Sequence, residues 1–299
     1  MNNLVKRVLV GLVGIPVVVA IIWLGGHVFN GTIMLLSWLA LREFYDLAES
    51  KHATANRRVA YVWSFVLQGI VAAATTIAWP WWNDTWLMLI MGAFVLGTLA
   101  TLVSELWRDR ENAILNTSVT VMGVAYVSVS MAALMIMHAM PVSAIGNVTS
   151  FGAHGAALVL ATFVSVWSAD TVAYFVGLAI GKHKLFPRVS PKKSWEGAIG
   201  GGLGATAAFM AMSSWMMPSY PMPLAAIAGL VVGIAGPIGD LMESLLKRDA
   251  AIKDSSTVIP GHGGVLDRFD SMLLVAPIML AYMLISMPFI WPVLEGLFR

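Results

Sequence analysis

The chain has 299 residues, 59% of them hydrophobic and 11% charged, with a mean hydropathy of +0.80 and a net charge of +2. A soluble domain carries about 25% charged residues, so this composition belongs in a bilayer, and so small a charge excess gives no reason to expect nucleic acid as a partner. There is no cysteine, which excludes disulfides and thiolate metal sites and leaves the redox compartment unread.

A spanning helix needs about 20 mostly apolar residues. Hydropathy predicts about nine such segments, at 6–24, 28–47, 60–79, 86–104, 114–139, 155–180, 197–217, 223–246 and 272–292. The first follows Lys6 and Arg7 and shows no convincing small-residue cleavage site after Val19-Ala20-Ile21, so it reads as a retained helix rather than a signal peptide. Of the 18 basic residues, every one except Arg299 falls in an alternate connection. Arg42, Lys51, Arg57 and Arg58 share one such connection, for example, whereas 141–154 and 218–223 hold none. The positive-inside rule then puts the N-terminus in the cytoplasm. The fold expected is all-α: a polytopic integral protein of the cytoplasmic (inner) membrane, with a single membrane domain over 1–299.

Residues 1–140 read mainly as scaffold helices. Their polar connections mix charges (Arg42, Glu43, Asp46 and Glu49; Glu105, Arg108, Asp109, Arg110 and Glu111), the pattern of solvated helix ends. No internal repeat, low-complexity tract or linker divides the chain. From 155 to 292 the character changes, and three passages stand out as catalytic helices and loops.

The first is "WSADTVAYFVG". Asp170 lies about 11 residues from the cytoplasmic end of its helix, hence about 16 Å deep at 1.5 Å per residue. A carboxylate there is costly unless it faces partners or water, so Asp170 is either a polar brace or the wall of a functional cavity.

The second is "GKHKLFPRVSPKKSWEG", Gly181 to Gly197. Lys182, Lys184, Arg188, Lys192 and Lys193 make it basic, and Ser190, Ser194 and Glu196 offer caps for the helix that follows. The tight Ser-Pro-Lys-Lys-Ser cluster is suited to phosphate.

The third is "GPIGDLMESLLKR" with the connection after it. Asp240, Glu243, Ser244 and Lys247 share one helical face by their spacing. Gly236, Pro237 and Gly239 are expected to interrupt that helix just before Asp240. Beyond, Gly263 and Gly264 precede Asp267, Asp270 and Ser271, and a glycine pair before a helix start can aim backbone N–H groups at an anion.

Carboxylates beside Lys and Arg suit a hard cation together with phosphates, since Mg²⁺ takes one or two carboxylates and shares the phosphate oxygens of a substrate. A zinc site asks for about three protein ligands, and His262 is the one nitrogen ligand of this connection, better read as a phosphate contact or loop brace. G-x-x-x-x-G-K-[ST], G-x-S-x-G and H-E-x-x-H do not occur, which argues against a P-loop, a serine hydrolase and a zinc protease.

"SLLKRDAAIKDSSTVIPGHGGVLDRFD", Ser244 to Asp270, resembles the signature of the phosphatidate cytidylyltransferases, or CDP-diacylglycerol synthases. Ser244, Lys247, Arg248, Lys253, Asp254, Pro260, His262, Gly263, Gly264, Asp267, Arg268 and Asp270 match that pattern without departure. "GPIGDLMES" and "SPKKSWEG" are also similar to the family's, whereas the first helices match only in general character.

The resemblance implies a Mg²⁺-dependent reaction of CTP with phosphatidic acid, in a homodimeric protein whose site faces the cytoplasm. It makes Asp240 and Asp267 the metal ligands, with a second, monovalent or divalent cation left open. Asp254 and Asp270 are either further ligands or groups that orient arginine and cap the last helix. Lys193, Lys247, Arg248, Lys253 and Arg268 would hold phosphates. Ser190, Ser194, Ser244, His262, Gly263 and Gly264 would supply hydrogen bonds, with Lys192 and Glu196 in the same loop and Asp170 facing the polar cavity. Two rivals use some of the same residues. An ion-coupled transporter would employ Asp170 and Asp240 but leaves the Gly-Gly loop and its cations without a role. A lipid kinase or alcohol phosphotransferase would share the metal chemistry, but the phosphotransferase pattern Asp-Gly…Ala-Arg…Asp…Asp is missing.

Overall fold

The structure is a computed structural model that describes residues 3–77, 84–140, 155–218, 220–253, 255–256 and 263–297, with backbone alone at 3–11 and 287–297. Asp254, Pro260 and His262 lie outside the described residues.

Helices cover the stretches that hydropathy marks: α1 (Asn3–Leu24), α2 (Gly26–Glu49), α3 (Arg57–Ile77), α4 (Asp84–Glu105), α5 (Ala113–Gly123), α6 (Ser130–Ala139), α7 (Ala156–Ile180), α8 (Trp195–Met216), α9 (Met222–Asp249) and α10 (Leu266–Leu297). A π-helical segment, Val124–Val129, joins α5 to α6, so the two run on as one span. Among the described residues, 6 helices are long and apolar enough to cross a membrane. Charged and polar residues in α2 and the glycines of α8 lower their hydropathy.

Two features depart from the sequence reading. The basic loop is not irregular: Lys184–Phe186 (β1) and Ser190–Ser194 (β2) pair antiparallel, the only strands among the described residues in an otherwise helical chain. And α9 is not interrupted. It continues through Gly236, Pro237 and Gly239 as one helix, because proline removes a single hydrogen bond and the neighbouring glycines leave room. A Cβ on Gly239 would lie 2.8 Å from the Asp270 carbonyl oxygen and 3.0 Å from Ser271 Cα, so that glycine is where α10 meets α9.

The chain divides into two compact units. The first comprises Met1–Val17, Gly26–Ile136 and Leu246–Phe269. Its largely apolar core also carries buried polar links of the kind that bilayer burial demands. Gln68 Nε2 donates to Ser37 Oγ at 2.8 Å and to the Ser128 carbonyl at 3.0 Å, and Ser128 Oγ donates to Ser64 Oγ at 2.8 Å. Tyr45, fully buried, donates its hydroxyl to the Thr120 carbonyl at 2.9 Å and lies flat against Gly123. The second unit comprises Val18–Gly25, Met137–Leu245 and Asp270–Arg299. There α8 lays its small residues on α7: a Cβ on Gly197 would meet the Ala173 carbonyl oxygen, and one on Gly201 the Ala169 carbonyl oxygen, both at 2.8 Å.

Candidate functional site

The residues singled out in the sequence fall into two clusters, one in each unit. In the second unit, Lys193 stands on β2, next to the turn into α8. Its ammonium is 2.6 Å from Asp240 Oδ2 on α9 and donates to the Pro237 carbonyl at 3.4 Å. Asp240 Oδ1 accepts from Ser244 Oγ at 3.1 Å, one helical turn on. Asp170, exposed on α7, is the third member, with Asp240 and Lys193 the charges whose fields reach it. The hairpin and α9, far apart in sequence, thus meet in one acid–base pair, and Asp170 of α7 lies within electrostatic reach of it.

The hairpin is fixed to its helix from both sides. Ser194 is buried at the N-cap of α8 and accepts from the Gly197 amide at 3.2 Å, the capping expected of it. Glu196, in the first turn, accepts from His183 Nδ1 at 2.6 Å and from the His183 amide at 3.2 Å. Its own backbone N–H, then the His183 ring, hold its carboxyl down at about 2, against an ordinary 4.5. Lys192, Lys184 and Arg188 are exposed and Ser190 half-buried.

In the first unit the cluster surrounds Asp267, in the first turn of α10. Asp267 Oδ1 binds Lys247 Nζ at 2.6 Å, in a pair whose side chains are 4% and 11% exposed. Its Oδ2 accepts from the Ser255 amide at 2.9 Å, Ser255 Oγ at 3.0 Å and the Gly264 amide at 2.8 Å. Gly263 has φ +80°, left-handed backbone that suits glycine. Arg248 is exposed and donates to the Ile252 carbonyl at 3.2 Å, closing the C-terminal end of α9, while Lys253 and Arg268 are exposed. Asp270, which belongs to the second unit, is half-buried and accepts from the Ser271 amide.

One residue escaped the sequence reading. Glu43 of α2, grouped there with solvated helix ends, is 2% exposed and, among the described residues, lies within hydrogen-bond reach of two hydroxyls and two amides. Ser256 Oγ (2.6 Å) and the Val265 amide (3.0 Å) donate to Oε1; the Leu266 amide (2.8 Å) donates to Oε2, and Ser255 Oγ, 2.9 Å from Oε2, shares its one proton between Oε2 and Asp267 Oδ2. The two amides after the glycine pair, of Val265 and Leu266, face the carboxylate of Glu43. An acid among mixed charges carries no spacing that would have set it apart.

The donor set bears on magnesium. Among the described residues, no three His, Cys, Asp or Glu side chains gather as a metal cage, but Mg²⁺ asks for only one or two carboxylates, its other positions going to water and phosphate. Asp240, with a side chain 29% exposed, fits that role. Asp267 fits it less well: its side chain is 4% exposed, Oδ1 is held by Lys247 at 2.6 Å and Oδ2 faces three donors, so an ion there would have to displace the lysine.

Comparison with known proteins gives a consistent picture. The Cytidylyltransferase family matches residues 5–286. A phosphatidate cytidylyltransferase of Synechocystis is 28% identical over 303 residues, covering 95% of this chain and 97% of its own. One of Staphylococcus saprophyticus is 29% identical over 281 residues, covering 91% and 96%. One of Pseudomonas aeruginosa is 45% identical over 125 residues, covering 42% and 46%.

Proposed function

The chain belongs to the cytidylyltransferase family, and from that premise we propose that it transfers the cytidylyl group of CTP to phosphatidic acid, giving CDP-diacylglycerol and pyrophosphate in phospholipid biosynthesis. The observation that carries this reading is the family match over 5–286, which includes both acid–ammonium pairs.

The nucleophile comes with the substrate. A phosphate monoester has a second pKa of about 6, so the phosphatidate oxygen is largely ionised near neutral pH. That oxygen forms a bond to the α-phosphorus of CTP while the bond from this phosphorus to the bridging oxygen breaks, and pyrophosphate leaves with the electron pair. The obstacle is the approach of two polyanions, which preorganised cations lower.

Lys193 and Lys247 are such cations. Each ammonium is already oriented by a carboxylate, Asp240 or Asp267, so little side-chain entropy is lost when a phosphate oxygen arrives. Arg248, Lys253 and Arg268, exposed, extend the positive field to the triphosphate. Ser190 and Ser244 contribute hydrogen bonds, with Gly263 and His262 in the same role; Gly264, whose amide donates to Asp267 Oδ2 at 2.8 Å, acts by orienting that carboxylate, and Lys192 supplements Lys193. Ser194 and Glu196 act by holding the hairpin. Asp240 and Asp267 are the ligands assigned to Mg²⁺, with Asp254 and Asp270 as candidates beside them; when bound, the ion neutralises phosphate charge and stabilises the leaving group.

The topology read from the loops completes the proposal: about nine spans, the N-terminus and the chemistry on the cytoplasmic side of the inner membrane, and a homodimer. The diacyl tails stay in lipid while the phosphate meets aqueous CTP. Purified protein given CTP, phosphatidic acid and Mg²⁺ tests the reading. Release of pyrophosphate with CDP-diacylglycerol is expected; release of CDP instead would make it a kinase, and no turnover would favour transport.

A further inference from the structure

We propose that Glu43 is a positioning residue for the transfer reaction, acting through the connection between α9 and α10; this rests on the reading of the chain as a cytidylyltransferase. Glu43 sits on α2, more than 200 positions before the residues it holds, at separations of 212 to 223. It takes hold of the connection at two places. Ser255 and Ser256 bind it shortly after α9 ends, and the Val265 and Leu266 amides bind it where α10 begins.

A buried carboxylate is tolerable only when donors satisfy it; here each oxygen takes one helix-start amide and faces one serine hydroxyl, the single Ser255 proton being shared with Asp267. Two of the donors are helix-start amides, which have no partner within the helix. The fit leaves no slack. A Cβ on Gly264 would fall 2.1 Å from Ser255 Oγ and 2.2 Å from Glu43 Oε2.

The reason to connect this clamp with chemistry is Ser255. Its hydroxyl lies 2.9 Å from Glu43 Oε2 and 3.0 Å from Asp267 Oδ2, and its amide also donates to Asp267. Asp267 in turn grips Lys247. Glu43 and Asp267 therefore share the single Ser255 hydroxyl proton, and with Lys247 they form one linked group that leads from a helix outside the signature to two signature residues. Glu43 touches no reacting atom in this scheme; it fixes the groups that do.

The test uses the full-length protein in detergent, with Glu43→Gln, Glu43→Asp and Ser255→Ala measured for kcat, KM and amide hydrogen exchange. Glutamine keeps the shape but presents an NH₂ group to a backbone N–H that needs an acceptor. Exchange protection at Val265 and Leu266 should fall, and kcat per folded molecule should drop about 10–100-fold, the usual range for supporting residues. The KM for CTP should change less than kcat, and Glu43→Asp should recover part of the rate. Folded Glu43→Gln with wild-type kcat overturns the proposal. If Glu43→Gln does not fold, Ser255→Ala decides: a lowered kcat supports the chain of bonds, and an unchanged one sinks it. Should the wild type itself release no pyrophosphate from CTP and phosphatidate, the reaction assignment fails and this role with it; loss of kcat in the variants alone leaves that assignment standing.

Discussion

Lys193 on the β-hairpin and Asp240 on α9 stand 2.6 Å apart, with side chains 26% and 29% exposed, although 44 positions separate the lysine from the Pro237 carbonyl that it also reaches. A pair so placed is neither a surface ion pair nor a sealed one. It is accessible enough for an arriving anion to take over the ammonium. Lys193→Ala should lower kcat/KM about 10–100-fold with little change in melting temperature, because partly exposed pairs contribute about 0–1 kcal/mol. Steady-state kinetics and thermal unfolding in detergent check both halves; an unchanged rate and KM would return the lysine to topology alone.

Asp267 differs, because its pair with Lys247 is buried. Asp267→Asn should abolish turnover. It should also lower stability by about 3–5 kcal/mol, the usual cost of leaving one partner of a buried pair uncompensated, while the protein stays folded in detergent in the cold. Loss of heat stability with full activity would remove Asp267 from the chemistry.

Metal removal should separate activity from stability. Both assigned carboxylates already have a lysine partner, so neither is left as a bare buried charge without the ion. Chelation should stop turnover, restored by added Mg²⁺, and leave the melting temperature within about 2 °C, roughly the shift that less than 1 kcal/mol produces.

The Glu196 clamp predicts a pH dependence at the low end. Its folded carboxyl sits at about 2 against an ordinary 4.5, so the unfolded chain takes up its proton first as pH falls. The clamp therefore contributes fully above pH 4.5 and loses its contribution between there and about 2. Comparing melting temperatures of wild type and Glu196→Gln should show a small gap at pH 6 that closes toward pH 2; a gap independent of pH would assign the effect to packing.

Gly239→Ala should push α9 and α10 apart, because the added carbon meets backbone of α10, which cannot swing aside. A destabilisation of about 1–3 kcal/mol is the usual cost of overpacking. Gly202→Ala on α8, with open space at its Cβ position, is the control and should be near neutral.

The helices were legible in the sequence because twenty apolar residues in a row admit few other structures. The cap at Ser194 was legible for a similar reason: the residue types and spacing are local chemistry. The hairpin was not, since its strands are three and five residues long and carry lysines rather than an alternating apolar face. Pro237 misled because proline is a strong local signal, and only the packing around it shows that a single lost hydrogen bond does not end a helix of 28 residues. Asp267 could be singled out through the signature, and Lys193 and Asp240 through the two stretches similar to the family's, but Glu43 could not. Its meaning lies in donors more than two hundred positions away, and nothing near it in the chain reports them.

The π-helical turn at Val124–Val129 sets an unusual rule for length changes in its span. An α-helix advances about 100° per residue, so deleting one residue from Ala113–Gly123 would swivel one end of the rod against the other and scramble which side chains look inward. A π-turn holds surplus backbone. A single deletion inside 124–129 can draw it back to ordinary pitch, with both ends still pointing as before and the loss confined to the contacts of that turn, the link through Ser128 and the Phe44–Tyr126 ring pair among them.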